Sequence, residues 1–276
     1  MVPGNPDSVD SMGTIRSAAV AGTFYPDNPH RLRENVTELL AALAPVDVDI
    51  APRLLIVPHA GYIYSGLIAA AAYRVLAGTP TPAPVVLLGP SHFVRFTGLA
   101  TPGVDALETP LGLVEVDAAL AASAGAHSVV VAEPAAHARE HSLEVQLPFL
   151  QLALGDFTAL PLATGEVTAG ATAEVLDELA DDPAVLGVIS SDLSHYLDHE
   201  TARRRDAATA QAIVELRIED LTPDDACGRT AVQAALLVAR KRGWQCRLLA
   251  LGNSSDTEGP SERVVGYGSF VIGPPA

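Results

Sequence analysis

Three short runs of branched apolar residues constrain this chain more than any other feature: Arg53–Val57 (RLLIV), Pro84–Leu88 (PVVLL) and Val185–Ser190 (VLGVIS). Each is bounded by turn residues and followed within about ten residues by a helical stretch. Continuous rather than alternating apolarity means burial on both faces, the condition of strands in a parallel sheet covered by helices. Thr158–Leu162 and Arg247–Leu251 are further strand candidates, and Val264–Ile272 reads as a terminal strand. Between them, helices are expected at Ser65–Leu76, Asp117–Ala124, Glu140–Leu154, Thr168–Ala180, Glu200–Arg217 and Pro223–Arg242. An earlier helix follows the loop Ala21–Pro26: Asn28 caps it, Pro29 suits its first position, and Leu32, Val36, Leu39, Leu40 and Leu43 recur at helical spacing. The fold class expected is α/β, a single domain over residues 16–276 with a mainly parallel central sheet and helices on both faces. Residues 1–15, polar and without periodicity, read as a flexible N-terminal tail.

A chain of 276 residues can bury its core without disulfides, and two cysteines, Cys227 and Cys246, exclude a small disulfide scaffold. Met1–Met12 carries no basic cluster followed by an apolar core, and the longest apolar run, Leu67–Tyr73, is far short of the roughly 20 residues that span a bilayer. A cytoplasmic protein without a membrane partner is expected. The net charge of −16 is unevenly placed: residues 96–202 hold 17 acidic residues against one basic residue, Arg139, while the rest is neutral. Such a segment repels phosphate backbones, which argues against nucleic acid as a partner, and reads most simply as solvated acidic helix faces.

In open α/β sheets ligands bind at the carboxyl ends of the strands. His59 follows the first apolar run in Pro58-His59-Ala60-Gly61-Tyr62, and His92 follows the second in Gly89-Pro90-Ser91-His92. Asp192 and His195 follow the third in Ser190-Ser191-Asp192-Leu193-Ser194-His195. If the three strands are neighbours, these groups meet in one crevice as a transition-metal site or a general-base cluster. His30, His127, His137 and His199 lack this placement and read as surface residues. Two pieces complete the set. Glu140–Pro148 (EHSLEVQLP) opens a predicted helix, with His141 and Glu144 on one face of its first turn. Cys227, in Ala226-Cys227-Gly228-Arg229, enters a helix at its N-terminus, where a thiol pKa is lowered and suited to nucleophilic or metal-ligand work. Cys246, at the start of an apolar strand, reads as structural.

The motifs GTFYP, VPHAGYIYSG, GPSH, EHSLEVQLP, SSDLSH and CGR occur in that order from Gly22 to Arg229. In this the chain resembles the MEMO-like proteins, whose bacterial and archaeal members are called AmmeMemoRadiSam system protein B. The resemblance spans residues 16–272 and implies a fold similar to the class III extradiol (LigB-type) dioxygenases. It implies that His59, His92 and Cys227 bind a metal, iron(II) or copper, and that Asp192 and His195 line the same pocket. It also implies that His141 stands where ring-cleaving enzymes carry a histidine assisting acid/base chemistry. The family's bacterial name records company with a radical-SAM protein and an AMMECR1-like protein, an expected functional link. Ring-cleaving enzymes hold Fe(II) with two histidines and a carboxylate. A Cys–His–His set is softer, favours copper or zinc more, and is itself oxidisable, so the dioxygenase mechanism does not carry over intact.

Three functions fit these residues. The first is a metal-dependent oxidoreductase acting on a small substrate, with His195, oriented by Asp192, as general base and His141 as proton donor. The second is a non-catalytic module that keeps the pocket for a peptide, a partner chain or a metal. The third is a metal-free thiol hydrolase pairing Cys227 with an imidazole.

Overall fold

The apolar runs become the centre of a twelve-stranded sheet in the computed structural model, which describes residues 13–44, 48–77 and 84–276. Its strands are β1 (Ile15–Arg16), β2 (Leu54–Val57), β3 (Val85–Pro90), β4 (Leu99–Thr101), β5 (Ala106–Thr109), β6 (Gly112–Val116), β7 (Val130–Ala132), β8 (Thr158–Thr164), β9 (Leu186–Ser190), β10 (His195–Leu197), β11 (Gln245–Asn253) and β12 (Val264–Gly273). The helices are α1 (Pro29–Ala41), α2 (Tyr62–Arg74), α3 (Ala118–Gly125), α4 (Pro134–Ala138), α5 (Leu147–Leu154), α6 (Ala169–Leu179), α7 (His199–Val214) and α8 (Arg229–Arg242).

The central path β6-β8-β3-β9-β2 is parallel throughout. Antiparallel pairs lie at its margins: β2 with β12, β12 with β10 and β11, β5 with β6, and β4 with β8. The single α/β domain with a mainly parallel sheet is therefore as the apolar runs require. Alternate residues of each central strand feed two cores. Leu55 and Val57 of β2 with Leu87 of β3 pack into one with Leu32, Tyr73 and Phe149 from α1, α2 and α5. Leu54, Ile56 and Leu88 pack into the other with Leu176, Ile213 and Leu236 from α6, α7 and α8. Period-two side-chain alternation divides the strand between two helix layers, so every strand position is apolar. Truncating one of these side chains, such as Ile56→Ala, is expected to cost about 2–5 kcal/mol.

Three expectations change. The helix expected from Glu140 begins as an α-helix only at Leu147, after a 3₁₀ turn at Glu144–Gln146. Pro148, in the first turn of α5, marks that start, because proline is tolerated where helical N–H groups have no partner. The helix expected from Pro223 begins at Arg229. Strands β4 to β7 were hidden in a stretch read only for its helix, because they are three to five residues long and partly exposed. Residues 1–12 of the expected tail lie outside the described residues, and Ile15–Arg16 pairs in parallel with β5. Asn28 caps α1 as expected, its side chain accepting from the N–H groups of His30 and Arg31. Among the described residues no helix is long and apolar enough to cross a membrane.

Candidate metal centre at the strand ends

Strand β9 lies between β2 and β3, so the loops carrying His59, His92 and Asp192 leave the sheet side by side. Cys227 reaches the same place from the N-terminus of α8. Gly228 makes this approach feasible: a Cβ there would stand 2.5 Å from the carbonyl oxygen of Ser190 and 2.8 Å from Cβ of Ser191. Gly89 likewise leaves room at the end of β3, where a Cβ would meet Leu143, Ser142 and Ser190 at 2.9–3.1 Å.

His59, His92 and Cys227 each offer one ligand atom, and these atoms lie within 4.8 Å of one another. Cys227 Sγ is 3.3 Å from His59 Nε2, and the two imidazole rings stand 5.2 Å apart edge to face. The outward nitrogen of each imidazole is already engaged: His59 Nδ1 lies 2.8 Å from Ser190 Oγ, and His92 Nδ1 2.9 Å from Glu140 Oε1. Such outer partners are what metal-ligating histidines ordinarily have. The donor set fits a tetrahedral or open three-ligand site for a soft-to-borderline cation.

Charge agrees with that fit. Burial, with the charge of His92, pushes His59 down to about 3, and burial pushes the Cys227 thiol up to about 12. The lowered thiol pKa expected from the helix N-terminus is overturned, because Cys227 sits one residue outside the cap Gly228 and is desolvated beside Asp192. Without a cation the Cys227 thiol and the His59 imidazole are both neutral. A divalent ion would supply the missing positive charge and convert the thiol to its ligating thiolate.

A second group, His92, Glu140 and His141, also has its ligand atoms within 4.8 Å. Glu140 is nevertheless fully occupied. Its carboxylate accepts the backbone N–H groups of His92 (2.6 Å), His141 (2.9 Å) and Ser142 (2.9 Å) besides the His92 ring. Burial raises its pKa, but these hydrogen bonds outweigh burial and bring it down to about 2. Glu140 orients His92, and sequence reasoning missed it. Glu144, which spacing had set beside His141, is buried elsewhere. Its carboxylate pairs with Arg16 and accepts from the N–H groups of Ala19 and Val20 and from the Tyr25 hydroxyl. The expected helical turn carrying both residues does not form.

Asp192 ties His59 and Cys227 together: Oδ1 accepts the His59 N–H at 2.7 Å, and its own N–H points at Cys227 Sγ, 3.3 Å away. It does not hold His195, whose Nδ1 lies 2.8 Å from the Leu193 carbonyl oxygen. The expected Asp192–His195 orientation is thus replaced by a backbone partner, which fixes the proton on Nδ1. His195 stands near enough for its charge to act on both His59 and Asp192. The His141 ring stacks on His92 at 4.6 Å and 23° and packs against Phe24 at 4.7 Å. Burial, then the charge of His59, lowers its pKa to about 4.

Phe93 and Tyr196 form an exposed rim, beside His141 and His195 respectively, with Arg139 over the first ring and Arg263 over the second. A cavity of about 280 Å³ opens beside Cys227, between Ser91–Phe96 and Thr164–Glu166. Of the remaining histidines, His137 corrects its reading as a surface residue. It is buried, and its Nε2 meets the Ala100 carbonyl at 2.8 Å. Cys246 is buried in the second core, as read.

The family profile for Memo-like proteins matches residues 16–271. A MEMO1 family protein of Aquifex aeolicus is 37% identical over 273 residues, covering 94% of this chain and 99% of the relative. MEMO1 family proteins of Methanopyrus kandleri and Methanosarcina acetivorans are 35% and 34% identical, covering 93% and 94% of this chain and 98% and 99% of their own. The strand-end cluster is therefore carried by a chain that belongs, over nearly its whole length, to the Memo-like protein family.

Proposed function

We propose that this chain holds one first-row transition metal, iron or copper, at His59, His92 and Cys227, and acts as an oxidoreductase on a small ligand bound at the strand ends. The observation that carries the reading is the convergence of two imidazoles and a thiol, each imidazole backed by an outer hydrogen-bond partner. When bound, the metal would supply Lewis acidity and one-electron chemistry towards oxygen. His141, neutral and stacked on His92, would donate or accept a proton at a ligand's polar atom. His195, with Nδ1 given to the Leu193 carbonyl, keeps Nε2 as a base. Asp192 fixes the spacing of His59 and Cys227 through its carboxylate and its own N–H.

A second reading is a non-catalytic module that keeps the pocket for a peptide or partner. The exposed aromatic rim of Phe93 and Tyr196, each ring with an arginine over it, favours it. The thiol-hydrolase reading gains the required 3.3 Å contact of Cys227 with His59, but a desolvated thiol beside a carboxylate is a poor nucleophile.

The test is metal content by mass spectrometry after anaerobic purification of the parent, His59→Ala and Cys227→Ala. Near-stoichiometric iron or copper in the parent, lost in both folded variants, supports the centre and justifies assays of oxygen-dependent turnover. No metal, with no uptake on anaerobic reconstitution, favours the binding module. Alkylation of Cys227 that added metal does not slow favours the thiol enzyme.

A further inference from the structure

We infer that Ser190 and Gln146 are positioning residues that hold the His59 imidazole in a single tautomer, with its proton on Nδ1 and a lone pair on Nε2 facing Cys227. Only the description of Nε2 as a metal-ligand atom rests on the function proposed above; the tautomer itself follows from a closed count of hydrogen-bond donors.

The count begins at Pro58. Its carbonyl oxygen can only accept, and it lies 3.0 Å from Gln146 Nε2, so the amide nitrogen of Gln146 must face it. The opposite orientation would bring two carbonyl oxygens together. The amide oxygen then receives the Tyr73 hydroxyl at 2.7 Å. The second amide hydrogen points to Ser190 Oγ at 2.9 Å. Ser190 has one hydroxyl proton, and the Ser142 carbonyl, 2.6 Å away, can be satisfied only by receiving it. The hydroxyl of Ser190 has by then given its proton and accepted one hydrogen bond. What remains is one lone pair, and His59 Nδ1 lies 2.8 Å from it. An unprotonated Nδ1 would set two lone pairs against each other, so Nδ1 must carry the hydrogen. Tyr73, Gln146, Ser190, Ser142 and His59 are all buried, so water is not at hand to replace a missing partner.

The chain of donors explains residues that the metal centre itself leaves unused. Three of the four alternate polar positions of EHSLEVQLP fasten the site, Glu144 being the exception. Glu140 holds the ring of His92, Ser142 takes the Ser190 proton while its own hydroxyl goes to Pro90, and Gln146 holds Pro58 and Ser190. The two imidazoles are treated differently. His92 is backed by a carboxylate and His59 by a neutral hydroxyl, so the first nitrogen is the stronger donor and the second is set by geometry alone.

The test is nitrogen-15 NMR of histidine-labelled, metal-free protein at neutral pH, with the His59 signals assigned by their loss in His59→Gln. In the parent, His59 Nδ1 is expected to show the shift and one-bond coupling of a protonated nitrogen, and Nε2 the shift of a bare one. Ser190→Ala and Gln146→Met are expected to give averaged shifts, and to weaken zinc binding by chelator competition 10–100-fold. Tyr73→Phe, which leaves Ser190 and His59 intact, carries the same expectation in smaller measure and serves if the other variants do not fold. A merely structural role would lower the melting temperature and leave the tautomer unchanged. A proton on Nε2 in the parent, or an unshifted His59 and zinc affinity within twofold of the parent in the folded variants, overturns the inference. If the parent shows the expected tautomer but takes up no metal, the positioning stands and the metal function falls.

Discussion

Glu140 and Glu144 stand four residues apart in one loop, both almost wholly buried, and serve opposite ends. Glu144 is matched to a permanent cation: Arg16, from the first strand, and two N–H groups and a phenol complete its shell. Glu140 has no such cation. Its partners are three backbone N–H groups and the His92 ring, with the His141 ring 3.4 Å away, so among the described residues no guanidinium or ammonium pairs with its carboxylate, and its titratable partner itself faces the candidate metal. A buried carboxylate with its own arginine stabilises a fold, whereas one closed by neutral donors and a histidine keeps its negative charge available to the group beyond that histidine. Residue type and burial do not separate the two cases; the identity of the partner does.

The largest expected effect lies on the structural side. Glu144→Gln leaves the Arg16 guanidinium buried without its charge partner, and urea unfolding should show a loss of about 3–5 kcal/mol. A loss below about 1 kcal/mol would erase the contrast with Glu140.

The same division runs through the histidines around this loop, His137 in α4 among them, and has a sign that can be checked. His137, behind the site, has its pKa lowered by burial to about 4, against an unfolded value near 6.5. Between those values the unfolded state binds the extra proton, so stability is full above pH 6.5 and is lost as pH falls towards 4. At about 1.4 kcal/mol per pKa unit the contribution is about 3–4 kcal/mol. Metal-free His137→Gln, whose amide can still reach the Ala100 carbonyl, should flatten that part of the slope in denaturant melts between pH 4 and 7.

On the other side, Glu140→Gln should be read in binding more than in folding. The amide removes the negative charge behind His92, and zinc affinity by chelator competition should fall 10–100-fold, about 1.4–2.7 kcal/mol. Equal affinity with large destabilisation would place Glu140 with Glu144.

The smallest effect sharpens the boundary of the ligand set. His141→Gln and His195→Gln should leave zinc affinity within about threefold, under about 0.7 kcal/mol, because neither ring belongs to the Cys–His–His group. A tenfold loss in either would enlarge the coordination set.

How much of this was open to reading varies with range along the chain. The parallel core was legible because β2, β3 and β9 are each apolar at successive positions, a pattern with few outcomes. His59, His92 and Asp192 were legible because such strands point their following residues into one crevice. Cys227 was placed near a helix start, but burial reversed the sign of its pKa. The division of labour in EHSLEVQLP was not legible. Its apolar spacing mimics a helix, and only Pro148 marked where the helix begins. The partners that separate Glu140 from Glu144 are His92 and Arg16, 48 and 128 residues distant, and no local pattern carries such contacts. The acidic middle segment also divides: Glu140, Glu144 and Asp192 are buried rather than solvated.

The most direct measurement is an anaerobic cobalt(II) titration of the metal-free protein, followed by near-ultraviolet absorption and by proton release. The expected result is one cobalt per chain with a sulfur-to-metal band and about one proton released, since the Cys227 thiol is protonated beforehand, and both signals absent in Cys227→Ala. Binding without a sulfur band, or a band that survives Cys227→Ala, would contradict a metal centre built from His59, His92 and Cys227.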